Sequence, residues 1–154
     1  MAAIDPASLD IPECFSTERL DVRAPHPDHA REMRDAIAET IAELRCWLPW
    51  AQEVPTLTEA EESLRESRRK YRAREDFRLN LFLKGTDTFV GGSGLHRFDW
   101  RIPRFEIGYW IRNRFVGQGY ATEAVQGIAA FALDQLGAKR VEIQTGTRNK
   151  LSVW

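Results

Sequence analysis

An α+β fold is what the sequence predicts, and three observations carry that reading. Residues 17–23 and Phe77–Leu83 alternate apolar with polar side chains, the period of a strand that buries one face. Ala30, Met33, Ile37, Ile41 and Leu44 instead recur at steps of three and four, as do Ala121, Ala124, Val125, Ile128, Ala132 and Leu136, so two segments read as amphipathic helices. Between these periods lies the aromatic and β-branched run 105–111, which reaches the second of those helices through a turn containing Gly117 and Gly119.

The elements follow in order. Residues 1–16 carry two prolines and little periodicity, so they read as a lead-in arm. The strand at 17–23 places Leu20 and Val22 on one face and is stopped by Pro25 and Pro27, after which Asp28 is a plausible N-cap for the first helix. A second helix is expected over residues 58–72, opened by Thr58 and Glu61 as cap and acid. Its end is basic, with Arg65, Arg68, Arg69, Lys70, Arg72 and Arg74, which fits a solvated face near the carbonyl end or a patch for an acidic peptide or ribosomal RNA. Lys84-Gly85-Thr86-Asp87 is a hairpin turn into a glycine-bearing strand that is expected to end at His96. A further strand spans Arg104–Ile111, Gly137 closes the last helix, and residues 139–145 form the next strand with Val141 and Ile143 on one face.

Length and composition bound the function. A chain of 154 residues is one domain by length, residues 1–154, able to bury roughly two thirds of its unfolded surface. With 22 basic against 23 acidic residues, no bulk field draws it to nucleic acid. No run approaches the ~20 apolar residues of a membrane span, and the start lacks a signal pattern, so a cytoplasmic protein is expected with neither membrane nor direct nucleic-acid partner. Cys14 and Cys46 read as isolated reduced thiols. His26, His29 and His96 show no zinc spacing with them, so no metal is expected.

The glycine turn is the stretch with chemistry in it. Gly117 and Gly119 lack a Cβ, so backbone amides there can approach a ligand while the first N–H groups of the following helix are unpaired. Such a junction is either a tight turn alone or a seat for phosphate oxygens at the positive end of a helix. The dinucleotide fingerprint fails because Thr122 stands at its third glycine, and no Gly-x-x-x-x-Gly-Lys-Ser/Thr occurs.

What fits is Arg114-Phe115-Val116-Gly117-Gln118-Gly119, which resembles the Q/R-x-x-G-x-G/A pyrophosphate loop of the GNAT acetyltransferases. Its flanks, Glu106-Ile107-Gly108-Tyr109-Trp110-Ile111 and Gly119-Tyr120-Ala121-Thr122-Glu123-Ala124, are similar to the RimJ/RimL branch, which acetylates protein N-termini. Thr17-Glu18-Arg19-Leu20-Asp21-Val22-Arg23 resembles the T-x-R-L-x-L-R opening of the same relatives.

The resemblance implies a three-layer fold, a mixed and mostly antiparallel sheet flanked by helices, with acetyl-CoA as co-substrate. By the same likeness Tyr109, Trp110 and Ile111 line the pantetheine arm, and Arg114, Phe115, Val116, Gly117, Gln118, Gly119, Tyr120, Ala121 and Thr122 hold the pyrophosphate. Glu106 is the candidate base, although in an alternating strand it could equally point to solvent. Asn149-Lys150-Leu151-Ser152 resembles the N-x-x-S segment that opens the family's last helix: Asn149 is implied to contact the pantetheine, and Ser152 to protonate the leaving sulfur. Trp47 and Trp50 are either packing rings or, like the family's W-x-P-W segment, walls of the acceptor pocket.

Relatives continue past the position of Trp154 through a helix and a final pair of strands, so the last helix and strands are expected to be missing and the strand at Val141 to present an open edge. The expected activity is acetyl transfer to a primary amine, either a protein N-terminus or a small amine. A CoA-binding remnant without catalysis, or one that forms a homo-oligomer, is the alternative.

Overall fold

In the computed structural model the described residues are 10–46, 53–101, 104–144 and 150–153. Trp47, Trp50 and Asn149 lie outside them. Seven strands form one sheet in sequence order: β1 (Cys14–Ser16), β2 (Leu20–Arg23), β3 (Phe77–Leu83), β4 (Phe89–Asp99), β5 (Arg104–Ile111), β6 (Arg140–Gln144) and β7 (Lys150–Val153). All neighbours are antiparallel except β5 and β6, which are parallel. A parallel pair needs a crossover, and α3 (Tyr120–Gln135) supplies it.

The two faces of the sheet carry separate apolar clusters. On one, Ala124, Ile128 and Ala132 of α3 are fully buried against Leu20, Leu81, Leu95, Phe105 and Ile107. On the other, Met33, Ala36 and Ile37 of α1 (Ala30–Leu44) and Ala60 and Leu64 of α2 (Leu57–Arg72) cover Phe82 and Phe89. The expected three layers are therefore present, helix, sheet and helix pair.

Several expected boundaries are corrected. The lead-in arm contributes β1, too short to show a period, whose Phe15 stacks on Phe131 at 4.8 Å. Thr17 and Arg19 precede β2 in a turn closed by Thr17 N–H to Leu20 O, so the strand starts three residues late. Asp28 does not cap α1: Pro27–His29 forms a one-turn 3₁₀ helix, and His29 takes the N-cap position. The capping box of α2 belongs to Thr56 and Glu59 rather than Thr58 and Glu61; Thr56 Oγ1 accepts from Glu59 N–H while Glu59 accepts from Thr56 N–H. Both pairs fit the pattern, and the one just after Pro55 starts the helix two residues earlier, adding backbone bonds. β4 continues past His96 to Asp99 because β5 supplies partners as far as Asp99↔Arg104.

At the other end the expectation of an uncovered β6 edge fails. Residues 150–153 form β7, paired with β6 from Val141↔Val153 to Gln144↔Lys150, so Ser152 sits in a strand and not at a helix start. Lys-Leu-Ser-Val alternates with period two, and pairing along the open edge satisfies β6 backbone groups that water would otherwise have to serve. Gly137, at φ 68°, closes α3 as expected, and Ala138 N–H reaches back to Ala132 O.

Candidate active site

The candidate site lies along the second half of β5. Among the described residues its parallel ladder with β6 runs from Arg104↔Arg140 to Ile107↔Ile143, while β5 continues to Ile111 and stays paired with β4 as far as Gly91↔Ile111. Arg112 N–H donates to Val90 O on the β4 side at 2.7 Å. Alternation along an extended chain then turns the N–H and C=O groups of Tyr109 and Ile111 the other way, toward the side on which β6 lies.

Of the three residues expected to line the pantetheine arm, Tyr109 and Ile111 face this side by backbone and Trp110 faces β4, and the side chains of all three are committed within the fold. Tyr109 and Ile111 pack on the α3 cluster. Trp110 lies on the opposite face, stacked on Phe89 at 5.8 Å, with its indole over the β4 backbone. Gly92 makes that possible, since a Cβ there would stand 2.4 Å from Trp110 Nε1. The glycines of β4 thus mark close approach, as their place in a strand suggests.

Glu106 shares the Trp110 face of β5, half-buried, and lies in one register row with His96 of β4, Glu142 of β6 and Ser152 of β7. Two strand spacings separate Ser152 from Glu106, roughly 10 Å along the row. His96 Nδ1 is 2.6 Å from Asp76 Oδ1, which fixes the imidazole at the β3 end of that row.

From Ile111 the chain turns through a 3₁₀ helix, Asn113–Phe115, to Gly117 at φ 78° and Gly119 at φ 84°, a left-handed region that favours glycine. A Cβ on Gly117 would meet nothing within 4 Å, so the loop is open there. Gly119 is the N-cap of α3, and the first intrahelical bond is Glu123 N–H to Gly119 O. The N–H groups of Tyr120, Ala121 and Thr122 precede it and converge on the space above the loop, the geometry of an anion seat. Val116 is exposed, whereas Phe115 and Tyr120 meet edge to face at 5.7 Å and brace the turn from below.

The Arg114 side chain is engaged within the protein. Its guanidinium grips Glu39 of α1 at 2.6 and 2.9 Å, and its backbone N–H bonds the same carboxylate. Glu39 also pairs with Arg112 at 3.2 Å. The Arg114 hydrogen bond holds the Glu39 carboxyl below its ordinary range. Arg114 therefore ties the loop to α1. Two residues that sequence reasoning passed over lie beside the same turn: Glu123, in the first turn of α3, and Arg19, which binds it at 2.7 Å. A glutamate in a first helical turn is a visible signal, but its partner more than a hundred positions away is not.

An open loop on a helix N-terminus, beside the exposed half of β5's backbone ladder among the described residues, offers backbone donors to an anion. Residues 19–153 match the family model described as Acetyltransferase (GNAT) domain. The chain belongs to the GNAT family. It is accordingly an acetyl-CoA-dependent acetyltransferase. A candidate ribosomal N-acetyltransferase, YdaF of Bacillus subtilis (strain 168), is 28% identical over 140 residues, covering 90% of this chain and 75% of YdaF. Among solved structures, a candidate ribosomal-protein-serine acetyltransferase from Vibrio cholerae superposes with a TM-score of 0.70 at 28% identity, covering 87% of this chain and 75% of that one. The microcin C7 self-immunity acetyltransferase MccE, in complex with acetyl-CoA and AMP, superposes at 0.78 and 20% identity over 89% of this chain and 75% of its own, a likeness of fold. This GNAT chain thus spans about three quarters of those relatives' length. Among its described residues, no group of three His, Cys, Asp or Glu could hold a metal ion, and no helix is long and apolar enough to cross a membrane.

Proposed function

We propose that this GNAT chain acetylates the N-terminal α-amine of a protein, a ribosomal protein being the acceptor class its named relatives suggest. The observation that carries the chemistry is the open glycine turn, with Gly117 and Gly119 at positive φ and the unpaired first amides of α3, at the end of the strand that carries Glu106. It puts a seat for a diphosphate and a carboxylate on one strand and its turn.

In this reading residues 114–122 hold the diphosphate through the amides around Gly117 and Gly119. Tyr109 and Ile111 bond the amide-bearing arm as an added strand would, which brings the thioester toward Glu106. The neutral amine attacks the thioester carbonyl, its proton passes to Glu106 directly or through water, and the thiolate leaves, steadied by Ser152 or protonated by it, the serine then regaining a proton from solvent. Asn149 is assigned to the arm, and Trp47 and Trp50 to the acceptor. An α-amine suits a carboxylate base: its pKa of roughly 8 against about 10.4 for lysine is worth ~3 kcal/mol in exposing the lone pair.

Two measurements test this. Acetyl-CoA binding by calorimetry, set beside free-thiol release with N-terminal peptides and with small amines, separates protein from small-molecule acceptors; turnover of polyamines or amino acids above that of peptides would refute the acceptor assignment. Gly117→Glu puts charge and bulk into the open seat and is expected to weaken acetyl-CoA binding by at least tenfold while the fold persists. Undiminished affinity would remove the loop from the site.

A further inference from the structure

We propose that Arg19 is a diphosphate-binding residue of the cofactor site, an assignment that rests on the acetyl-transfer reading and names a residue it does not include. Three contacts fix its guanidinium. Nε donates to Glu123 Oε1 at 2.7 Å, Nη1 donates to Gln118 O at 3.1 Å, and the plane lies over the Tyr120 ring with Cζ 4.3 Å from its centroid. Nη2 makes no hydrogen bond among the described residues, and it lies 3.3 Å from where a Cβ on Gly119 would stand. The free end of the fork is thus held above the N-cap of α3, where the amides of residues 120–122 converge.

A strut between β2 and α3 would need only the Glu123 bond. The remaining contacts all lie on residues 118–120, the turn of the seat itself, and they orient Nη2 before any ligand arrives, so little side-chain freedom is lost on binding. The arrangement also answers an electrostatic problem. Glu123 places a carboxylate in the first turn of α3, close to where a diphosphate would sit. Arg19 N–H, Arg19 Nε and Thr17 Oγ1 all donate to that carboxylate, which turns its charge toward β2 and leaves the pair neutral. What faces the seat is the arginine. A guanidinium fork can bind a carboxylate on one edge and a phosphate oxygen on another, which an ammonium cannot do at the same time.

The test uses the full chain with three acetyl donors: acetyl-CoA, its dephospho form, which keeps the diphosphate, and S-acetylpantetheine, which has no phosphate. Arg19→Ala is expected to weaken acetyl-CoA and dephospho-acetyl-CoA about tenfold or more, as loss of a charge-assisted bond does, and to leave the KM for S-acetylpantetheine within about twofold. Arg19→Lys can rebuild the pair with Glu123 and is expected to recover the thermal midpoint without recovering affinity. Unchanged acetyl-CoA affinity in Arg19→Ala overturns the assignment. So does an equal loss for all three donors, which would make Arg19 a strut, and so does a loss that vanishes with the dephospho donor. Lysine restoring affinity together with stability overturns it as well. Wild-type protein that fails to bind acetyl-CoA would instead bring down the acetyl-transfer reading, and this assignment with it.

Discussion

At the residue scale, glycines and one carboxylate set what can be tested. Two glycines of the β4–β5 pair have opposite expected responses to alanine, although both lie in strands. A Cβ on Gly91 would stand 2.2 Å from Trp110 O, a backbone atom that cannot give way, whereas one on Gly108 would meet only His96 Cδ2 at 3.8 Å. Gly91→Ala is therefore expected to break the β4–β5 register and lower the unfolding midpoint steeply, and Gly108→Ala to leave it nearly unchanged; urea unfolding of the two variants decides, and equal stabilities would contradict the close approach seen at Gly91. Glu106 belongs to the same scale. If it takes the amine proton, Glu106→Gln lowers kcat by roughly 10²–10⁴ with acetyl-CoA affinity preserved, and an unaltered rate would exclude it.

At the element scale, the loop between β5 and α3 is tied down by two carboxylates from outside it. Glu39 of α1 holds Arg114, and Glu123 of α3 holds Arg19 and Thr17. Both carboxyls lie below their ordinary value: Glu39 through the Arg114 hydrogen bond against burial, and Glu123 because bonds from Thr17 and Arg19 outweigh the burial that would raise it. A depressed carboxyl contributes stability that is complete above its unfolded pKa, near 4.5, and is lost as pH falls through the folded one. Glu39→Gln and Glu123→Gln should thus lower the thermal midpoint at neutral pH and converge on wild type as pH falls through the depressed carboxyl pKa values of the folded protein; a gap that stays constant with pH would show the carboxylates contribute no charge-dependent stability. The α2 N-terminus offers a simpler check. Thr56→Ala removes the cap oxygen that accepts from Glu59 N–H at 3.1 Å and is expected to cost about 1 kcal/mol, whereas Thr58→Ala should cost little.

For the whole molecule, two apolar clusters on opposite faces of one sheet hold the strands around the candidate site. Phe105 and Ile107, fully buried, fasten β5 to α3 on one face, and α1 and α2 hold the other over Phe82 and Phe89. Both β5 and β6 are gripped by the α3 layer through Phe105, Ile107 and Val141, so the sheet there does not depend on the ladder alone. Phe105→Ala should cost about 3–5 kcal/mol and abolish activity through unfolding. Leu64→Ala, in the α1–α2 cluster, should cost about 2–5 kcal/mol and, by loosening the helix pair, raise the acceptor KM more than that for acetyl-CoA. Equal effects on both substrates would show that the helix pair does not shape the acceptor side.

Local periodicity determined the strands around Leu81 and Ile107, the three helices, the hairpin at Gly85 and the glycine junction before α3, because each depends on residues within a few positions of one another. It could not determine the cap choice between Thr56 and Thr58, which depends on where Pro55 releases the chain, nor β1 and β7, whose three- and four-residue runs become strands only because β2 and β6 present edges to them. The glycine turn proposed as the phosphate seat was legible as Gly117 and Gly119. Its surroundings were not: Arg19, Glu39 and Glu123 come together only when β2, α1 and α3 pack around one loop, and the pairing of Arg114 with Glu39 cannot be read from the motif. A side chain's partner at a distance of a hundred residues is set by how layers stack, and that is decided by burial across the whole chain, not by any stretch of it.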